Sequence, residues 1–277
     1  EQLGGNLSHR AATFNNQNTT LSLSRKIGKT GLSLFIDRLS TDGYDLLPGD
    51  EAQTVNPFYN YTLSGRVRTA PSESLDILAS TRYFTQEFDV SPGTSEETDF
   101  NALVRVNHSP GTRSEWQYEL YFTRYTTTEQ TVDPIDETLR LENDFDQRLF
   151  RPELRFIYDF SGAYQLTTGA GYNFERLDRS LFDGRVSFDS QYIYAQLDTK
   201  PLDRLNLIAG FRFDHHSEYN AQLSPKVSAK YDFTDHLSLK ASVGSGFKAP
   251  DFRQLFLDFT NASGGGYSVL GKQVETR

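Results

Sequence analysis

Four groups of residues in this chain have the types and spacing that chemistry requires. Gly244-Ser245-Gly246-Phe247-Lys248-Ala249 has the G-x-G-x-x-A spacing with which a tight turn brings backbone amides up to a dinucleotide pyrophosphate. Gly266-Tyr267-Ser268-Val269-Leu270-Gly271-Lys272 has the outline of a phosphate-cradling loop. His215 and His216 are adjacent, and Asp42, Asp45, Asp50 and Glu51 gather the carboxylate oxygens that hard cations take. Each of the four fails on its context. The segment before Gly244 alternates polar and apolar residues, whereas a dinucleotide-binding strand is buried on both faces and reads as continuously apolar. Gln273 stands where a phosphate loop needs a Ser or Thr for magnesium. Neighbouring residues on a strand point to opposite faces, so the two histidines cannot chelate one ion there. The four acids have no fixed ligand spacing and read as a solvated loop. No nucleophile elbow or acid–base pair stands out, so neither an enzyme nor a bound cofactor is expected.

Composition narrows the choice further. There is no cysteine, which removes thiolate metal sites and disulfides. A formal net charge of −9 disfavours nucleic acid as a partner. There is also no methionine, so the chain is expected to be a mature or excised piece of a longer protein. No apolar run approaches the ~18 residues of a membrane-crossing helix.

The elements that must position any site are amphipathic strands. Leu237, Leu239, Ala241 and Val243 alternate with Ser238, Lys240, Ser242 and Gly244, and the same parity recurs along the chain. Leu32, Leu34 and Ile36 follow a tight turn at 28–31. Phe100, Ala102, Val104 and Val106 lead through 110–113 into Trp116, Tyr118, Leu120 and Phe122. About thirteen such segments can be counted, and many are longer than the ~5–6 residues of soluble strands. Short turns alternate with long acidic connections at 41–57, around Glu96, Glu97 and Asp99, and at 129–146, the last of which carries seven acids. Aromatics gather beside the short turns, as at Phe160 and Tyr164 or Tyr231 and Phe233. This asymmetry, strand length and aromatic girdle are those of an outer-membrane barrel with a lipid-facing apolar side and a polar lumen. Arg66, Arg68, Arg82 and Arg105 fall on the lumen side, where pairing with lumen acids or contact with a plug is expected. Single-chain bacterial barrels have even strand numbers, so an odd count again points to a piece of a barrel.

At the end of the last strand the residues carry a resemblance. Gly246-Phe247-Lys248-Ala249-Pro250-Asp251-Phe252, followed by Gln254-Leu255-Phe256, Asn261 and the Gly266-to-Gly271 stretch, resembles the barrel of TonB-dependent outer-membrane receptors. In that family a strand ending in Gly-Phe-(Lys/Arg)-Ala-Pro enters an extracellular loop. The segment from Lys26 to Tyr44 is similar to the first hairpins after the family's plug domain. The Leu-x-Pro-Glu segment that usually follows is missing. The resemblance implies an all-β, antiparallel up-and-down transmembrane β-barrel of about twenty-two strands. This chain would supply about thirteen of those strands, as one barrel domain over 1–277 truncated at both ends. It also implies a bacterial outer-membrane location, lipid around the barrel, and uptake of a scarce nutrient such as a ferric siderophore, cobalamin or haem. Energy would come from TonB through the plug, which this chain lacks. Arg253, Phe256, Phe259 and Tyr267 are the candidates for ligand contact or loop closure. A passive porin or structural barrel is the alternative.

Overall fold

The computed structural model describes residues 2–47, 53–90, 93–132, 139–180, 182, 184–261 and 267–272. Thirteen strands form one antiparallel meander in which every strand pairs with its neighbours in sequence. They are β1 (Gly4–Ala12), β2 (Asn16–Ile27), β3 (Thr30–Thr41), β4 (Phe58–Ser72), β5 (Leu75–Val90), β6 (Gly93–His108) and β7 (Ser114–Val132). After these come β8 (Leu139–Asp159), β9 (Tyr164–Arg179), β10 (Val186–Leu202), β11 (Leu205–His216), β12 (Gln222–Thr234) and β13 (Leu237–Gly244). A five-residue helix, α1 (Phe252–Phe256), and a small hairpin of β14 (Asp258–Asn261) and β15 (Tyr267–Leu270) follow. The thirteen-strand up-and-down sheet expected from the alternation is therefore present. Its outermost strands, β1 and β13, are not paired with each other.

Two of the acidic connections differ from expectation. Glu96, Glu97 and Asp99 lie within β6, paired with Thr128, Thr127 and Tyr125 of β7. The 129–146 segment is mostly strand as well, since β7 runs to Val132 and β8 resumes at Leu139; residues 133–138 lie outside the described residues. The physical reason is that these ends carry polar side chains on both faces, so pairing persists where amphipathic alternation has stopped. The turn signals were reliable. Gly28 takes φ 56° in the β2–β3 turn, and Asp159 Oδ1 accepts from the amides of Ser161 and Gly162 in the β8–β9 turn.

Register gives the sheet two chemically distinct faces. Directly opposed residues share a face, so the chain of partners Val106–Tyr118–Leu154–Ala170–Ile193–Phe213–Leu223 runs as one apolar row across seven strands. A second row joins Leu21, Ile36, Leu63, Tyr83 and Phe100. Many of these side chains are open, with Tyr118 at 46%, Ile193 at 52% and Leu223 at 59% exposed. A contiguous apolar surface of this extent has no counterpart on a water-soluble sheet and fits hydrocarbon. At its short-turn end Trp116 lies 4.3 Å from Phe156, and Tyr158 and Phe160 meet edge to face at 4.8 Å.

The other face is polar and internally paired. Arg105 donates to Glu119 at 2.6 and 2.9 Å, Arg68 pairs with Asp76 at 2.9 Å and Arg82 with Asp99 at 3.1 Å. Arg66, opposite Ser33 and Ser80, has no ion-pair partner among the described residues. Glu153 accepts from the hydroxyls of both Tyr192 and Tyr194, and Arg212 lies 3.9 Å above the Tyr192 ring. Room for the two tyrosines comes from Gly171 and Gly169, their direct partners on β9.

Candidate functional site

The site is built where β13 ends and the chain folds back across the polar face. Beyond Gly244 only Ser245 keeps a ladder-like bond, to the Pro225 carbonyl at 3.0 Å, because Pro250 and the intervening glycine end the pairing. Gly246, Phe247, Lys248, Ala249 and Pro250 form an extended crossing. Within it Phe247 sets its edge against Tyr219, with ring centroids 6.3 Å apart. Asp251 then caps α1: its carboxylate accepts from the Gln254 amide at 2.9 Å, and the Gln254 side chain accepts from the Asp251 amide at 3.1 Å. This reciprocal cap lets a five-residue helix persist.

Helix α1 completes the one compact hydrophobic core among the described residues. Phe252, Leu255 and Phe256 are 5%, 2% and 9% exposed and pack with Leu177, Phe182 and Phe188 from the β9–β10 end of the sheet. The Phe252 ring stacks on Phe188 at 4.2 Å. His216 lies 4.5 Å from Phe188 on one side and 3.9 Å from Tyr219 on the other, so four rings form a continuous stack. Its Nδ1 accepts from the Glu218 amide at 3.1 Å, which leaves the proton of the neutral ring on Nε2. His215 is on the opposite face, partnered with Gln191, so the two histidines are separated as expected. After the β14–β15 hairpin the chain returns to the helix: the Gly271 amide donates to the Leu257 carbonyl at 2.6 Å. A Cβ on Gly271 would lie 2.4–2.5 Å from the Leu255 backbone, so only glycine fits there.

Charged and aromatic groups border this core. Arg253 projects from the exposed side of α1. It is near enough to Arg179, the last residue of β9, for the two like charges to oppose each other. Arg179 spreads over the Phe145 ring, its Cζ 5.8 Å from the centroid, and its buried Nε has no hydrogen-bond partner among the described residues. Sequence reasoning selected Arg253 but not Arg179, because only the fold-back after β13 brings the two together. Of the other candidates, Phe256 lies in the core beneath, and Tyr267 is 55% exposed at the start of β15. Phe259 is on β14 opposite Val269.

No group of three or more metal-ligating side chains occurs among the described residues. Asp50 and Glu51 of the acidic connection lie outside those residues. Asp45 instead holds its own loop, accepting from the Leu47 amide at 2.9 Å and from the Thr54 hydroxyl at 3.2 Å.

Comparison with known proteins adds an independent finding. Residues 11–273 match the family described as "TonB dependent receptor-like, beta-barrel". A 103-residue stretch is 32% identical to the "Probable TonB-dependent siderophore receptor PirA" of Acinetobacter baumannii, covering 35% of this chain and 13% of that protein. Among solved structures, the siderophore receptor PirA from Pseudomonas aeruginosa superposes with a TM-score of 0.78 at 15% identity, over 98% of this chain and 50% of that one. The copper transporter OprC superposes with a TM-score of 0.70 at 17% identity, over 92% and 47%. At these identities the solved structures establish the fold. The chain spans about half their length.

Proposed function

Because the chain belongs to the TonB-dependent receptor-like β-barrel family, we propose that it forms part of the wall and extracellular mouth of a receptor that imports a scarce nutrient as an anionic chelate. The family and the apolar face place the sheet in the bacterial outer membrane. The sheet's free edges at β1 and β13 are closed by further strands of the same protein, since unpaired backbone groups are costly in hydrocarbon. A plug fills the polar lumen and TonB acts through it.

One arrangement carries the choice of ligand charge: Arg179, over the Phe145 ring, and Arg253, on α1, both border the same hydrophobic core, and the buried Nε of Arg179 has no partner among the described residues. Two opposed guanidiniums are stabilised when an anion sits between them. The relatives described as siderophore receptors support a ferric siderophore over cobalamin or haem. Phe259 and Tyr267, on the hairpin beside α1, are proposed to line the rim of the same mouth, and Phe256 to close the loop from below.

The test uses the full-length receptor. Arg179→Gln with Arg253→Gln is expected to weaken binding of an anionic ferric chelate at least about tenfold, roughly 1.4 kcal/mol, and to leave a neutral chelate unaffected. Equal loss for both chelates, or no loss for the anionic one, would overturn the assignment. Uptake should also stop in cells lacking TonB, whereas a passive porin would continue to conduct.

A further inference from the structure

Three adjacent strands repeat one pattern at the upper border of the apolar face. Phe122, Phe150 and Phe174 are direct cross-strand partners, and Phe150 is 43% exposed. Two residues further along each strand, away from the short turns, Arg124, Arg148 and Arg176 are direct partners as well. A row of three arginines therefore lies about 6–7 Å beyond a row of three phenylalanines, on the same outward side. Like charges placed directly opposite each other on a sheet repel. One carboxylate answers two of them: Asp146 accepts from Arg124 at 3.0 Å through both Nε and Nη2, and from Arg148 at 3.2 and 2.5 Å. Arg176 has only the Phe174 ring, 4.5 Å from its Cζ, and no ion pair among the described residues. Asp178, two residues beyond Arg176 and directly opposite Asp146, is engaged by Arg185 at 2.9 Å.

From this geometry we propose that Arg124, Arg148 and Arg176 form a binding site on the outside of the barrel for a phosphate-bearing lipid headgroup of the outer leaflet. The inference rests on the reading of the apolar face as lipid-facing. The phenylalanine row sits at the depth of acyl chains, so the arginines are at the level of headgroups; Arg124 and Arg148 reach up to Asp146, while the Arg176 guanidinium lies over the Phe174 ring. Arg124 and Arg148 keep 48% and 45% of their side-chain surface open beyond Asp146. Guanidiniums bind phosphate oxygens in a bidentate manner, which suits a fixed row better than mobile lysines would. A free phosphate could offer the same oxygens, but the apolar row directly beneath favours a ligand that also carries acyl chains.

The site can be tested with the full-length receptor purified in detergent and titrated with bisphosphorylated lipid A, dephosphorylated lipid A and inorganic phosphate, read by native mass spectrometry. The bisphosphorylated lipid is expected to bind wild type at least about tenfold more tightly than the dephosphorylated one, and Arg124→Gln with Arg148→Gln and Arg176→Gln should erase that difference. Arg176→Gln alone, which breaks no ion pair, should reduce it in a protein whose fold is intact. Inorganic phosphate should not displace the lipid at equal concentration. Undiminished preference in the triple variant, or displacement by inorganic phosphate, would overturn the proposal. Neither result bears on the mouth, since chelate binding there depends on other residues.

Discussion

Leu120→Arg is expected to destabilise the barrel by about 2–4 kcal/mol, or to stop its insertion, while Gln117→Arg three residues away costs under about 1 kcal/mol. Leu120 is mid-way along the outward residues of β7, with Val104 directly opposite, and is 49% exposed to what surrounds the sheet. If that medium is hydrocarbon, a guanidinium at this depth must either be desolvated or drag water and headgroups inward. Gln117 is on the polar face, where its amide donates to Asn107 at 2.9 Å, and an added cation there meets water and lumen acids. Heat-modifiable mobility on gels and denaturant titration of the full-length protein in lipid vesicles measure both. Equal tolerance of the two arginines would mean that the two faces see the same solvent.

Gly171→Val should cost about 3 kcal/mol, and most of that should vanish when Tyr192 is also replaced by Ala. A Cβ on Gly171 would stand 2.3 Å from the end of the Tyr192 ring, which is 5% exposed and cannot easily turn aside. Its hydroxyl is bonded to Glu153 and its face is covered by Arg212. Moving the ring therefore leaves the half-buried Glu153 carboxylate short of a donor as well as creating a void. A double-mutant cycle on unfolding separates the collision from the loss of backbone freedom, because only the collision depends on Tyr192. An unchanged cost in the Tyr192→Ala background would show that the ring is not what Gly171 accommodates.

The strands were legible because one physical rule writes them: lipid on one side and water on the other force alternation, as in Trp116, Tyr118, Leu120 and Phe122. That rule also explains the failure at Glu96, Glu97 and Asp99. Past the membrane both faces meet water, so polar residues occupy both and the pairing loses its signature. The motif from Gly246 to Pro250 was found by resemblance, and the structure shows its physical role. It ends the β13 ladder and carries the chain back over the lumen, so that Asp251 can cap α1. The mouth itself was mostly hidden. Leu177, Phe188, His216 and Phe252 are spread over some seventy-five positions and meet only through the register of three strands and one fold-back. Arg179 was overlooked for the same reason, since nothing local marks a strand-end arginine as the partner of Arg253. The arginine row needed register too: the Phe-x-Arg spacing of two strands and its reverse in the strand between them align only once β7, β8 and β9 are paired.

The most direct test of the account is a cysteine scan of residues 116–123 in the full-length receptor, with any cysteine outside this cysteine-free stretch replaced by serine. Each position is spin-labelled in lipid vesicles, and its accessibility to molecular oxygen and to a water-soluble nickel chelate is measured. Oxygen access should peak at Trp116, Tyr118, Leu120 and Phe122 and chelate access at Gln117, Glu119, Tyr121 and Thr123, alternating with a period of two. Uniform access of the chelate to all eight positions would contradict a lipid-facing wall.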